Sequence, residues 1–403
     1  MKPVAILDIG SSKVVCLCGN VGDKEGVVVR GAGICSYTGY EGGEITDKHA
    51  LHIAIAEAIH KAEQESNSRI RDVALTVPTS HSVLAITDAT ITLGRTARAA
   101  TSQDVDRLIT LSYKKCSLGP EYILMHSTPV FFLVDGVASS EVPDGITTDE
   151  LSGMISHMFV KEDYIKLVSD CLDDIGVEVS MCLSGQLAEA IMLIPEPERI
   201  RPAVLIDVGY MQTDVCVVEG PAMTATSRIP VGGYHFSSDL SFGLDVSLDS
   251  AEQAKRRFVF SLDYGDRVEI LRTSTGSKRV AMSAISYIIG ARADELVKMI
   301  ASEIAKLGVN LESRPSVYIT GGGLLMMRGS WDFVRSTLNY PVKRDMPWTP
   351  LLSSPNYSSA FGALDFVVRA GHAASEADEK PKDGQSEPKK RSLLHKAIEF
   401  LTK

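Results

Sequence analysis

Apolar positions follow two periods along this chain. Between Ala203 and Ile206, and again between Val215 and Val218, they form short unbroken blocks around a polar turn. That pattern predicts a strand, a tight turn and a returning strand. From Asp47 to Ser66 the period is helical, with Ile53, Ala54, Ala56, Ala58, Ile59 and Ala62 on the apolar side and Asp47 as N-cap. Val73 to Val77 reads as a strand ended by Pro78. Glu162 to Ile175 reads as a helix closed by Gly176, with a strand from Val177 to Cys182 after it. Ala281 to Leu307 is a long apolar-periodic helix with Gly290 as a candidate break, and Ser316 to Thr320 is a strand running into Gly321, Gly322 and Gly323.

The end of the chain has a different pattern. His372 to Pro388 holds no large apolar residue and reads as a disordered linker. Beyond it, Leu393, Leu394, Ala397, Ile398, Phe400 and Leu401 fall within about 160° of a helical wheel. Lys390 and Arg391 precede this face. Such a helix suits a lipid interface; the alternative is docking on a protein groove, and the linker argues against the chain's own body. One such helix binds reversibly, and several on one polymer bind strongly by avidity.

The turn signals occur twice. Ala5-Ile-Leu-Asp8-Ile-Gly10 and Val204-Leu-Ile-Asp207-Val-Gly209 each lead from a β-rich run through Asp and Gly into a second run. A repeat this long is no solenoid period and predicts two related α/β lobes, each opening with a hairpin that carries an acid at its turn.

Composition narrows the class. The chain has 403 residues, 44% hydrophobic and 23% charged, and a net charge of −10, which suits a soluble bilobed protein and excludes a general nucleic-acid binder. The tail is locally basic, with Lys389, Lys390, Arg391, Lys396 and Lys403 against Glu399. Seven cysteines without a C-x-x-C pair fit a reducing compartment. The first residues lack the apolar run of a signal peptide, and no run reaches the ~18 apolar residues of a membrane span.

Several segments carry candidate chemistry. In the first hairpin Gly10 relieves the turn, Ser11 and Ser12 can donate to phosphate, Lys13 can neutralise charge, and Asp8 can hold Mg2+ through water. Gly232 and Gly233 open a helix, where a ligand can approach closely. Glu252 and Lys255 share the next helical face and can grip a ribose or simply pair with each other. Gly321, Gly322 and Gly323 offer bare backbone to a flat ligand such as a base.

In this order the segments resemble the actin-like ATPase superfamily, and within it the FtsA family of bacterial division proteins. Asp8–Lys13 matches the first phosphate motif. Asp207–Asp214, with Gly209, Gln212 and Thr213, matches the second. Gly232–Asp239 with Glu252 and Lys255 matches the base-and-ribose segment, Thr320–Gly323 the adenosine motif, and Pro355–Gly362 the closing connection. His126–Gly136 is similar to part of the domain peculiar to that family, and Gly290–Leu296 is close to its wording.

The resemblance implies an α/β actin-like bilobed fold with an FtsA-type inserted domain. Its divisions would be 1–83 for the first half of lobe 1, 84–165 for the insert, 166–200 for the return to lobe 1, 201–370 for lobe 2, 371–388 for the linker and 389–403 for the amphipathic helix. It further implies ATP with Mg2+ near Asp8 and Asp207, self-association into protofilaments, and a peripheral place on the cytoplasmic face of the bacterial membrane at the division septum. FtsZ and other division proteins would be the partners, with Arg292 and Lys298 as contact residues.

Two departures stand out. Tyr210-Met211-Gln212 replaces the family's later glycines and first threonine, so these side chains either point away or crowd the terminal phosphate. Val142-Pro-Asp-Gly-Ile146 replaces the usual turn of the insert. Hydrolysis needs a carboxylate or amide to orient water. The matching position is Ser184, Gly185 or Gln186, and none is an unambiguous carboxylate. Binding with slow or absent turnover is therefore expected. The competing readings are an actin-fold enzyme of the sugar kinase or phosphatase type and a pilus-assembly scaffold.

Overall fold

The protein is described here by a computed structural model covering residues 3–22, 26–309, 315–345, 347 and 352–379, with backbone alone from 372 to 379. Two five-stranded sheets form its frame. In the first, Val4–Ile9, Lys13–Val21 and Val27–Ser36 make an antiparallel meander; Asp72–Val77 lies parallel to Val4–Ile9, and Glu178–Ser184 parallel to Asp72–Val77. In the second, Ala203–Val208, Thr213–Glu219 and Ala222–Ile229 form the meander, with Val317–Thr320 and then Val342–Lys343 parallel beyond Ala203–Val208. Order and sense are the same in both sheets, so the duplicated turn belongs to a duplicated sheet.

The inner strands are covered on both faces, which is why they read as continuous apolar runs. Val73–Val77 and Ala203–Ile206 are buried throughout. The helix Lys48–Ser66 packs on the first sheet, capped by Asp47 Oδ1, which accepts from Ala50 N at 2.9 Å. Its buried face is Leu51, Ala54, Ile55, Ala58, Ile59 and Ala62. Ile53, expected on that face, is 51% exposed. The apolar stripe is set by Leu51 and Ile55, one turn apart, and Ile53 falls between them on the outside.

A four-stranded antiparallel sheet runs in the order Val137–Ser139, Tyr122–Val134, Glu150–Lys161, Ser82–Thr92. With the helix Ser102–Tyr113 it encloses its own core around Phe132, Leu151, Ile155 and Leu108. The unusual Val142–Ile146 turn is pinned to it: Ala100 N donates to Ile146 O and Gly145 N to Ala100 O, both at 2.9 Å.

Two helices differ from expectation. Met282–Lys306 runs unbroken through Gly290, because Ile285, Ile289, Ala293, Leu296, Ile300 and Ile304 bury one continuous stripe. Ser358–Glu379 extends well into the stretch expected as linker from residue 371. Its run of alanines has high helix propensity and continues a helix already anchored by packing. Residues 380–388 of that linker and the amphipathic segment 389–403 lie outside the described residues.

Candidate functional site

The two hairpins are built in the same register. Ile9 pairs with Val14 and Val208 with Thr213. Gly10 N donates to Lys13 O at 3.0 Å, and Gly209 N donates to Gln212 O at 2.9 Å. Asp8 and Asp207 thus sit at equivalent strand ends, and Lys13 is the counterpart of Gln212. The loops also touch: Met211 N donates to Ser11 Oγ at 3.1 Å. A hydroxyl expected to donate to phosphate therefore accepts from the opposite loop. Ser12 O receives Tyr37 N at 3.1 Å.

The charges collect between these loops. Asp8, Lys13 and Asp207 are half-buried. Asp8 Oδ1 accepts from Thr76 Oγ1 at 2.6 Å and Ser359 Oγ at 3.1 Å, and desolvation still raises its pKa. Lys13 Nζ donates to Asn356 O at 2.7 Å and lies 4.3 Å from the centre of the Tyr357 ring. Burial lowers its amine to about 8. Asp207 is pushed up to about 7 by burial, then by Asp214 and Asp8. Burying several carboxylates together favours holding protons or receiving a cation.

Glu189 reinforces this. It is fully buried on the helix Gly185–Leu193, and neither carboxyl oxygen has a hydrogen-bond partner among the described residues. Burial and the charges of Asp207, Asp8 and Asp214 raise its pKa well above the ordinary value, which favours its protonated form. Sequence reading assigned it no role, because helical periodicity does not distinguish a buried acid from an exposed one.

The three candidate positions before the second hairpin have different surroundings. Gln186 is buried, its Nε2 donates to Asp214 Oδ2 at 3.4 Å, and its Oε1 has no partner among the described residues. Ser184 instead caps its helix, accepting from Leu187 N at 3.2 Å, and Gly185 carries no side chain to aim. Asp214 also accepts from Thr79 Oγ1 and from Gln212 Nε2, the latter at 2.9 Å to Oδ2. Tyr40 OH donates to Gln212 Oε1 at 3.4 Å. Thr213 Oγ1 donates to Val231 O at 2.8 Å.

The glycine segments converge on the second loop. A Cβ at Gly232 would stand 2.6 Å from the carbonyl oxygens of both Gly209 and Tyr210, and one at Gly323 would stand 2.0 Å from Gly209 O. Gly233 N and Tyr234 N donate to Gly209 O and Tyr210 O at 2.9 and 2.7 Å. These first amides of the helix Gly233–Leu244, expected to face a ligand, are engaged by protein. Close approach explains both glycine runs, and its first beneficiary is the hairpin itself. Gly321 and Gly322 lie beside Asp207 and Asn356.

Glu252 and Lys255 form an ion pair at 2.6 Å. Ser237 Oγ and Arg256 Nε also donate to Glu252, at 2.5 and 2.8 Å, and Lys255 Nζ donates to Gly233 O at 2.8 Å. Met211, by contrast with this cluster, packs against a hydrophobic core that holds residues of both five-stranded sheets. So the side chains of the unusual loop each have a home: Met211 in that core and Gln212 on Asp214, with Tyr210 5.7 Å from Tyr234 in an edge-on contact.

The other expected residues lie elsewhere. Arg292 pairs with Asp239, Nη2 to Oδ1 at 2.9 Å, and with Glu295. Lys298, on the same long helix, borders an open depression with Met299 and Ser302. Lys390, Arg391, Leu393, Leu394, Ile398, Phe400 and Leu401 are outside the described residues. Among the described residues, no helix is long and apolar enough to cross a membrane.

Comparison with known proteins places this architecture. Residues 204–362 match the family model described as cell division protein FtsA. The cell division protein FtsA of Neisseria meningitidis is 26% identical over 378 residues, 90% of this chain and 89% of that protein. Its counterpart in Bacillus subtilis is 23% identical, covering 90% and 83%. Among solved structures, the PilM-PilN type IV pilus biogenesis complex aligns with a TM-score of 0.60 at 17% identity, over 90% of this chain and 97% of that one. MreB5 of Spiroplasma citri bound to ADP aligns at 0.54 and 12% identity, over 94% and 99%. The structural likenesses establish an actin-like fold, and the sequence is similar, at 23–26% identity over most of their length, to cell division proteins FtsA.

Proposed function

We propose that this division protein binds ATP between its lobes and uses it as a structural ligand, while other surfaces self-associate and hold FtsZ at the membrane. The observation that carries the nucleotide reading is the pair of matched hairpins delivering Asp8, Lys13 and Asp207, each half-buried, to one carboxylate-rich cleft. The unpartnered oxygens of Glu189 and Gln186 mark the same place as electrostatically incomplete, which suits a cation with an anionic ligand. Lys13 would meet phosphate, and Asp8 and Asp207 would hold Mg2+ through its water shell. Bound there, the ion would offset phosphate charge. Two structural neighbours, MreB5 with ADP and with AMPPNP, were solved with nucleotide.

A ligand that touches both lobes stabilises their closed arrangement by mass action. Calorimetric titration with ATP and Mg2+ tests this, with phosphate release followed in parallel. The expected result is micromolar affinity, about 8 kcal/mol, with negligible release. No binding would reduce the cleft to a self-contained scaffold. Rapid release would favour the enzyme reading, for which the free Gln186 Oε1 above Asp214 is the specific support, as an amide able to orient water.

The membrane tether rests on the pattern at Lys389–Lys403: Leu393, Leu394, Ile398, Phe400 and Leu401 on one face behind Lys390 and Arg391. Flotation with anionic vesicles should capture the full chain and lose it when residues 390–403 are deleted; undiminished capture would end the tether reading. The FtsZ contact is proposed on lobe 2, where exposed Phe242 and Tyr287 lie on the two helices joined by the Asp239–Arg292 pair.

A further inference from the structure

Tyr210 stands where a phosphate loop would carry glycine, and the direct expectation is obstruction. Its surroundings argue otherwise. The ring centre is 5.7 Å from that of Tyr234, the planes inclined by 66°, an edge-on contact typical of favourable aromatic pairs. Lys255 Nζ lies 6.0 Å from the same ring. Tyr234 and Lys255 belong to the helices Gly233–Leu244 and Leu248–Arg257, which also carry Ser237 and Glu252. Asp8 and Lys13, the groups suited to phosphate and metal, belong to the opposite hairpin.

The backbone explains the direction. Tyr210 O is held by Tyr234 N at 2.7 Å, and Met211 N by Ser11 Oγ at 3.1 Å. The loop apex is therefore fixed on both sides, with Tyr210 tied to the helix pair and the next residue tied to the first hairpin. Tyr210 remains half-buried, so part of its surface is still available to a ligand.

We propose that Tyr210 is a specificity-determining residue: its ring, backed by Tyr234, is a wall for the nucleoside part of a bound nucleotide and takes no part in holding phosphate. This rests on the nucleotide reading above. An aromatic face adds contact to a base or sugar and gives nothing comparable to an isolated polyphosphate. The departure from glycine thus moves recognition from the phosphate end of the ligand toward its nucleoside end.

The test uses the full chain with Mg2+ and two probes, ATP by calorimetry and inorganic tripolyphosphate by displacement of ATP. Tyr210→Ala should weaken ATP about tenfold, the scale of one aromatic–base contact, and leave tripolyphosphate within about twofold. Tyr210→Phe should keep both near wild type, since the ring supplies the wall. Equal changes for both probes in Tyr210→Ala would overturn the proposal and make Tyr210 part of the phosphate site. An unchanged ATP affinity would overturn it by reducing the ring to packing. Should Tyr210→Ala fail to fold in a melting scan, Tyr210→Leu asks the same question while filling the space without an aromatic face. If the wild type binds neither probe, the nucleotide reading itself fails, an outcome distinct from wild-type binding that is insensitive to Tyr210.

Discussion

The two hairpins share backbone and register but have opposite surroundings. At the first, a Cβ on Gly10 would meet only Lys13 O at 3.4 Å, and Lys13 supplies a positive charge. At the second, Gly232 and Gly323 press directly on the loop carbonyls, and uncharged Gln212 stands in the position of Lys13. Duplication preserved the turn, while side chains set the two loops apart: the first carries the cation Lys13, and the second makes hydrogen bonds across to the other lobe. Met211, Gln212 and Asp214 reach Ser11, Tyr40, Thr79 and Gln186 on the first lobe.

The largest effect should come from the charged loop. Lys13→Ala should lower ATP affinity about 100-fold by removing a desolvated cation, whereas Gln212→Ala should change it only a few-fold; comparable losses would erase the functional difference between the loops. For stability the ranking reverses. Gly232→Ala should cost about 2 kcal/mol in denaturant unfolding, since its new methyl meets two backbone oxygens, and Gly10→Ala much less.

The Asp207 carboxyl sharpens the contrast through pH. Its ordinary value is 3.8, and in the fold it titrates near 7. Between those values the folded state binds more protons than the unfolded chain, so this group makes stability fall as pH rises through the window. Thermal melts of the ligand-free protein should show that fall, and Asp207→Asn should flatten it and raise the melting temperature at pH 8. A profile identical to wild type would mean that the group does not carry the raised value. The smallest effect belongs to the clasp: Gln212→Ala should cost about 1 kcal/mol by removing hydrogen bonds to Asp214, read from the unfolding midpoint.

The hairpins were legible because an Asp, one apolar residue and a Gly between apolar runs are local signals. Both turns and the repeated sheet follow from them. What escaped was decided by tertiary neighbours. Ile53 and Ile55 are equally apolar, and only the sheet beneath selects Ile55. Gly232 and Gly323 announced close approach but could not say that the approaching group was Gly209 O. Glu189 carried no warning, since its unpartnered burial depends on residues from both lobes. Gly290 and the alanine-rich run after Gly371 looked like interruptions because local composition omits the packing that carries a helix through them.

The helix Ser358–Glu379 starts at the cleft, where Ser359 donates to Asp8. A continuous helix of this kind is about 33 Å long. A tilt of about 5° at the Ser359 end would sweep the other end through about 3 Å. Phe361, Leu364 and Val368 of this helix are buried with Ile6, Val15 and Leu17, so the strand that carries Asp8 and the helix share one core.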